Sequence, residues 1–122
     1  MIVVDASVLI AYLDPNDAHH AAAVEVLAAA TPPLLVHSVT AAEVLVAPVR
    51  QGVADAVWAD LSAIGVEVDD TLIDPLQLAR LRVETGCKMP DCCVLATGVN
   101  HNLPIATFDE RLRRFAVADP PT

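Results

Sequence analysis

Short aliphatic runs alternate along the chain with longer amphipathic segments. Ile2 to Val4 is an apolar, β-branched run that reads as a buried strand, and Ser7 to Leu13 as a helical turn or two halted by Asp14-Pro15-Asn16. His19 to Ala30, alanine-rich with Val24 and Leu27 on one face, predicts a helix ended by Thr31-Pro32-Pro33, and Leu34 to Val36 a second strand. Thr40-Ala41-Ala42-Glu43 has the S/T-x-x-E form of a capping box, which predicts a helix through Val49 to Gly52. Ala54 to Ile64 is a further helix stopped by Gly65, and Val66 to Val68 a third strand. Asp74-Pro75 opens a helix closed by Gly86, and Pro90-Asp91 opens another that runs to about His101. Leu103 to Ala106 reads as a fourth strand, Asp109 to Arg114 as a short helix, and Ala116 to Val117 as a fifth strand before a tail.

Strands alternating with helices in this way predict one α/β domain over residues 1–122, with a parallel sheet covered by helices on both faces. In such sheets ligands bind beyond the carboxyl ends of the strands. Asp5 stands directly after the first strand and Asp109 just after the fourth.

The apolar fraction of 55% exceeds the usual ~45–50%, which implies a surface meant for a second copy or a partner. A net charge of −9 excludes a general basic nucleic-acid-binding surface, but it accommodates carboxylates that a cation neutralises. Cys87, Cys92 and Cys93 form no paired C-x-x-C pattern, so neither a disulfide framework nor a zinc site is expected, and a reduced cytoplasmic setting fits best. No basic region precedes the first apolar run. The longest charge-free stretch, Val26 to Ala42, falls short of the ~20 apolar residues a membrane helix needs, so no membrane association is expected.

Four acids stand out: Asp5, Glu43, Asp91 and Asp109. Each has an ordinary reading as a helix cap or a first-turn acid. Their shared placement near one sheet edge points elsewhere, because converging carboxylates repel one another until a hard divalent ion makes them ligands. Mg²⁺, or Mn²⁺, prefers such oxygen donors and activates water for phosphodiester hydrolysis. Ser7 and Thr107, two residues from Asp5 and Asp109, are candidate supporting hydroxyls. An aspartyl phosphatase also places an acid after its first strand, but it normally wants a second acid two residues on, where this chain has Ser7.

The same residues carry a family resemblance. Val3-Val4-Asp5-Ala6-Ser7-Val8-Leu9-Ile10, Thr40-Ala41-Ala42-Glu43-Val44-Leu45 with Arg50-Gln51-Gly52, Gly86-Cys87-Lys88-Met89-Pro90-Asp91 and Ala106-Thr107-Phe108-Asp109 together resemble a PIN-domain ribonuclease of the VapC type, the toxin of VapBC toxin–antitoxin pairs. The resemblance implies a three-layer PIN-like fold with strand order 3-2-1-4-5 and a Mg²⁺-dependent endoribonuclease acting through metal-activated water. It makes Asp5, Asp91 and Asp109 metal ligands, Glu43 an acid acting through metal-bound water, and Ser7 and Thr107 supporting hydroxyls. It also implies a cognate VapB-type antitoxin, an RNA substrate, a homodimer, and contact with DNA only through the antitoxin. Cys92-Cys93, where the family more often has small or aliphatic residues, is a departure and reads as helix packing.

The remaining candidates have plainer readings. His37 near the second strand reads as a packing or hydrogen-bonding group, and His19, His20 and His101 as surface or helix-end residues. Trp58 alone makes no base-stacking platform. Several of Arg50, Arg80, Arg82, Lys88, Arg111, Arg113 and Arg114 fall near the inferred mouth, where they either hold RNA phosphates or form a solvated face. The alternative to an enzyme is a catalytically silent PIN-like module that only engages an antitoxin or RNA.

Overall fold

Strand β1 (Ile2–Val4) forms where three branched aliphatic side chains meet partners on both faces and both edges. It pairs in parallel with β2 (Leu34–His37) on one side and with β4 (Ile105–Ala106) on the other, and β2 pairs in parallel with β3 (Val66–Asp69). The resulting order is β3-β2-β1-β4. The fold comes from a computed structural model that describes residues 1–116.

Alternation along the strands sorts the helices into two layers. Val4, Leu34, Val36 and Val66 pack with residues of α1 (Ala6–Leu13), α2 (His20–Ala29), α3 (Ser38–Arg50) and α4 (Ala54–Ala63). Val3, Leu35 and Ile105 turn the other way, toward α5 (Pro75–Thr85), α6 (Met89–His101) and α7 (Glu110–Phe115). The architecture is therefore the expected α/β type with a parallel sheet between helical layers. The first four strands take the expected order. The fifth strand expected at Ala116–Val117 is not among the described elements: Ala116 is the C-cap of α7, and Val117 lies outside the described residues.

Two boundaries differ from the sequence expectation in ways that matter for the site. Helix α3 begins at Ser38, because the His37 side chain accepts the Val39 amide at 3.1 Å and caps the helix there. Thr40 therefore lies inside the first turn, buried, with its hydroxyl unpartnered, and no capping box with Glu43 forms. Strand β4 is only two residues long: Leu103 and Pro104 before it are irregular, and proline has no amide to give to the ladder, although the Pro104 carbonyl accepts the Val3 amide at 2.9 Å. Elsewhere the turn chemistry is as expected. Gly86 closes α5 in the left-handed region at φ 70°, and the chain turns there into Cys87-Lys88 and the start of α6.

Candidate active site

The register of the sheet builds the site's centre. Val4 pairs with Ala106, so in a parallel pair the next residues, Asp5 and Thr107, leave the sheet side by side. The Asp5 amide donates to the Ala106 carbonyl at 3.0 Å and holds the exit in place. Asp5 is only 6% exposed. Its Oδ2 accepts hydrogen bonds from both Ser7 Oγ and Thr107 Oγ1, each at 2.8 Å. Asp5 precedes α1 without making a side-chain cap, so the capping reading does not apply to it.

The two hydroxyls belong to a larger net. Thr107 Oγ1 accepts the Asp109 amide at 3.0 Å, and Ser7 Oγ accepts the Phe108 amide at 3.0 Å. The segment after β4 is thereby fastened to the start of α1, with Asp5 between them. Oδ2 is fully engaged, whereas Oδ1 takes no hydrogen bond from the described residues. One oxygen fixes the rotamer and the other stays available.

The remaining acids arrive from three further elements. Glu43 sits on the exposed side of α3, freed of capping duty by His37. Asp91 lies in the first turn of α6, behind Pro90. Asp109 caps α7 through Oδ1, which accepts the Leu112 amide at 2.9 Å, so for this acid the capping reading does hold. Capping occupies one of its two oxygens.

Electrostatics tie the four together. Glu43 is pushed above the ordinary carboxyl value, first by burial and then by repulsion from Asp5 and Asp91. Asp91 is raised by burial and then by Asp5 and Asp109, with Lys88 and Arg111 pulling the other way. Asp5 thus repels both Glu43 and Asp91, and Asp91 in turn is repelled by Asp109. Among the described residues no lysine or arginine forms a salt bridge with any of the four. A cluster of this kind attracts a cation from solution.

The donor set suits a hard divalent ion: it is all oxygen, with Asp5 already oriented. Among the described residues, however, no three Asp, Glu, His or Cys side chains are grouped closely enough to enclose a metal. That is compatible with Mg²⁺, which typically takes one or two carboxylates and keeps its waters, and less so with a preformed cage for Ca²⁺.

A PIN-domain family model matches residues 2–118. The chain belongs to the PIN-domain family. Among solved structures, that of Mycobacterium tuberculosis VapC20, described as a sarcin-ricin-loop-cleaving toxin, superposes with a TM-score of 0.80 at 22% identity, covering 99% of this chain and 100% of that one. A toxin–antitoxin complex from Klebsiella pneumoniae contains a chain that matches with a TM-score of 0.74 at 23% identity, covering 89% of this chain and 87% of that one. No curated protein matches the sequence.

The other sequence candidates lie apart from the PIN-domain acids or beside them. His37 is a helix cap, and His101 pairs with Asp69 at 2.9 Å. Cys87 and Cys92 are fully buried and Cys93 nearly so; all three are free thiols, with Cys92 and Cys93 pushed up by burial and neighbouring thiols, as packing residues would be. Lys88 and Arg111 flank Asp91, a proximity legible for Lys88 from its three-residue spacing but not for Arg111. One contact beside the site has no sequence signal at all: His19 and Phe108 stack on each other. Among the described residues no helix is long and apolar enough to cross a membrane.

Proposed function

We propose that this PIN-domain protein is a divalent-metal-dependent endoribonuclease of the VapC toxin type, with Asp5, Asp91, Asp109 and Glu43 as its acidic site and Ser7 and Thr107 as supporting hydroxyls. The observation that carries the reading is the set of mutually repelling acids around a buried, hydroxyl-fixed Asp5, only partly offset by Lys88 and Arg111. Its fold neighbours are a toxin described as cleaving the sarcin-ricin loop and a member of a toxin–antitoxin complex.

In this reading Asp5, Asp91 and Asp109 would hold Mg²⁺ or Mn²⁺; the hydroxyls engage one oxygen of Asp5 and helix capping one oxygen of Asp109. The ion, when bound, supplies positive charge that relieves their repulsion and polarises a phosphoryl oxygen. Glu43 holds the attacking water; its raised pKa brings it closer to neutral, where a carboxylate is a more effective base. Ser7 and Thr107 keep Asp5 from rotating as charge shifts during the reaction. Lys88 and Arg111 offset part of the negative field beside Asp91, where an RNA phosphate must approach.

An antitoxin of the VapB type is the proposed inhibitor, and exposed apolar side chains offer it, or a second protomer, a surface. Ala42, Leu45, Val46, Val49 and Arg50 line a shallow, mainly apolar groove of about 440 Å³ on α3, with Val46 and Val49 47% and 63% exposed. DNA would be reached only through that antitoxin.

The test is cleavage of RNA with Mg²⁺ or Mn²⁺, with EDTA, and by Asp5→Asn. Cleavage should vanish in the last two, and cleavage that survives both overturns the mechanism. A second reading is a silent module that only binds antitoxin or RNA. Titration calorimetry showing no divalent-ion binding, together with no cleavage of any RNA, would establish that instead.

A further inference from the structure

We propose that His19, backed by Phe108, is a nucleobase-stacking platform at the rim of the acidic site, holding an unpaired base of the RNA beside the bond to be cut. This rests on the ribonuclease reading above.

The two rings lie 4.8 Å apart between centroids and 17° from parallel, a stacked arrangement. Phe108 is partly buried and packs against the larger core cluster, so its inner side is supported. His19 lies on its outer side, and the His19 side chain remains 61% exposed. One ring face is covered by Phe108 and the Nδ1 edge lies 3.7 Å from Asp17 Oδ1, which leaves the opposite face to share in the exposure. The order is core, Phe108, His19, solvent, and a further flat ring continues the stack.

Phe108 is fixed to the site and His19 to the turn before α2. Phe108 stands between Thr107 and Asp109, and its amide donates to Ser7 Oγ, the same hydroxyl that donates to Asp5. His19 is the residue before α2, at the end of a turn ordered by its own acids. Its amide donates to Asp17 Oδ1 at 2.8 Å, and His20 Nδ1 lies 2.8 Å from the Ala11 carbonyl on α1. An exposed ring is usually free to rotate, whereas this one is held on its backbone from the α1 side and on its face by Phe108.

Charge explains why such a platform is needed. A protein of net charge −9 gains little from phosphate attraction, which supplies most of the affinity of ordinary RNA-binding surfaces. Stacking involves no net charge, and aromatic side chains, histidine included, are common seats for splayed-out bases in single-stranded RNA. Phosphodiester cleavage in a loop or single strand leaves the adjacent base unpaired and available.

The experiment compares binding of a labelled oligoadenylate with that of an abasic ribose-phosphate oligomer of the same length. Wild type, His19→Ala and His19→Tyr are measured by fluorescence anisotropy in EDTA, with Mg²⁺-dependent cleavage of the oligoadenylate by wild type followed in parallel. Wild type should favour the base-bearing oligomer by roughly 5- to 150-fold, the range expected for one base–aromatic stack. His19→Ala should erase that preference and His19→Tyr restore most of it, whereas loss of a merely structural contact would weaken both oligomers alike. Equal affinity of wild type for the two oligomers, or a preference that survives His19→Ala, overturns the platform even if wild type cleaves RNA. Wild type that neither binds nor cleaves RNA overturns the ribonuclease reading, and the platform with it.

Discussion

Thr107→Val isolates the contribution of one hydroxyl to the geometry of the site. Valine keeps the shape of threonine but neither donates nor accepts. In the native protein Thr107 Oγ1 donates to Asp5 Oδ2 at 2.8 Å and accepts the Asp109 amide at 3.0 Å, and the residue is 7% exposed. A hydrogen bond to a charged acceptor contributes about 1.5–3 kcal/mol, and a neutral one about 0.5–1.5 kcal/mol. The extra methyl of valine returns up to about 0.8 kcal/mol through its apolar surface. Water reaches the half-exposed Asp109 amide more readily than Asp5, which softens the second loss. The net is a destabilisation of about 2 kcal/mol, or roughly 5–10 °C in melting temperature for a chain of this size. Circular-dichroism melts should show that drop, and urea titrations should show a lower midpoint at an unchanged slope. Ser7→Ala removes the other donor to the same oxygen, so the double variant should depart from additivity by about 0.5 kcal/mol or more. Additive effects, or a Thr107→Val protein that melts like wild type, would refute the claim that the two hydroxyls jointly hold Asp5.

Two further outcomes follow from the same geometry. Because the folded-state values of Glu43 and Asp91 are raised above 4.5 and 3.8, the folded state binds more protons than the unfolded state just above those values. Stability attributable to these groups is therefore greatest at acid pH and is lost as pH rises through the raised values. Glu43→Gln and Asp91→Asn should each match wild type near pH 3 and exceed it at pH 7, by about a few tenths of a kcal/mol given solvent screening, while cleavage is lost. Equal stability across pH in denaturant titrations would show that the acids do not repel. Gly98→Ala tests the packing behind β4. A Cβ there would lie 2.8 Å from both Ile105 Cγ1 and Cδ1. The usual helix gain of about 1 kcal/mol should be outweighed by overpacking of about 1–3 kcal/mol, so a rise in melting temperature would contradict the contact.

Much of the fold is legible because its signals are local. The branched run Ile2 to Val4, the Asp74-Pro75 and Gly86 pair around α5, and the Pro90-Asp91 start of α6 all specify their elements through neighbours a few residues away. Where a local signal had a local competitor it misled. Thr40-x-x-Glu43 has the form of a capping box, yet His37 reaches the Val39 amide first, and the cap of α3 falls three residues earlier, at His37 in place of Thr40. Leu103 and Pro104 look like the beginning of a strand, but only Ile105 and Ala106 pair in register with β1, the Pro104 carbonyl adding one hydrogen bond to Val3.

The opening Asp5, the hydroxyls two residues from it and from Asp109, and the acids at helix starts were visible in the sequence, as was the surplus of apolar residues over what a small core can use. Those are properties of composition and short-range order. What only the tertiary structure decided is which atoms those residues present to one another. The parallel register of β1 with β4 brings Thr107 against Asp5 and commits one carboxylate oxygen while leaving the other open. Capping commits one oxygen of Asp109 and none of Asp5, and His19 meets Phe108 from 89 positions away in the sequence. Sequence records which groups a chain carries, but a contact between distant residues depends on how whole elements pack, because the free energy that fixes it is shared among all of them.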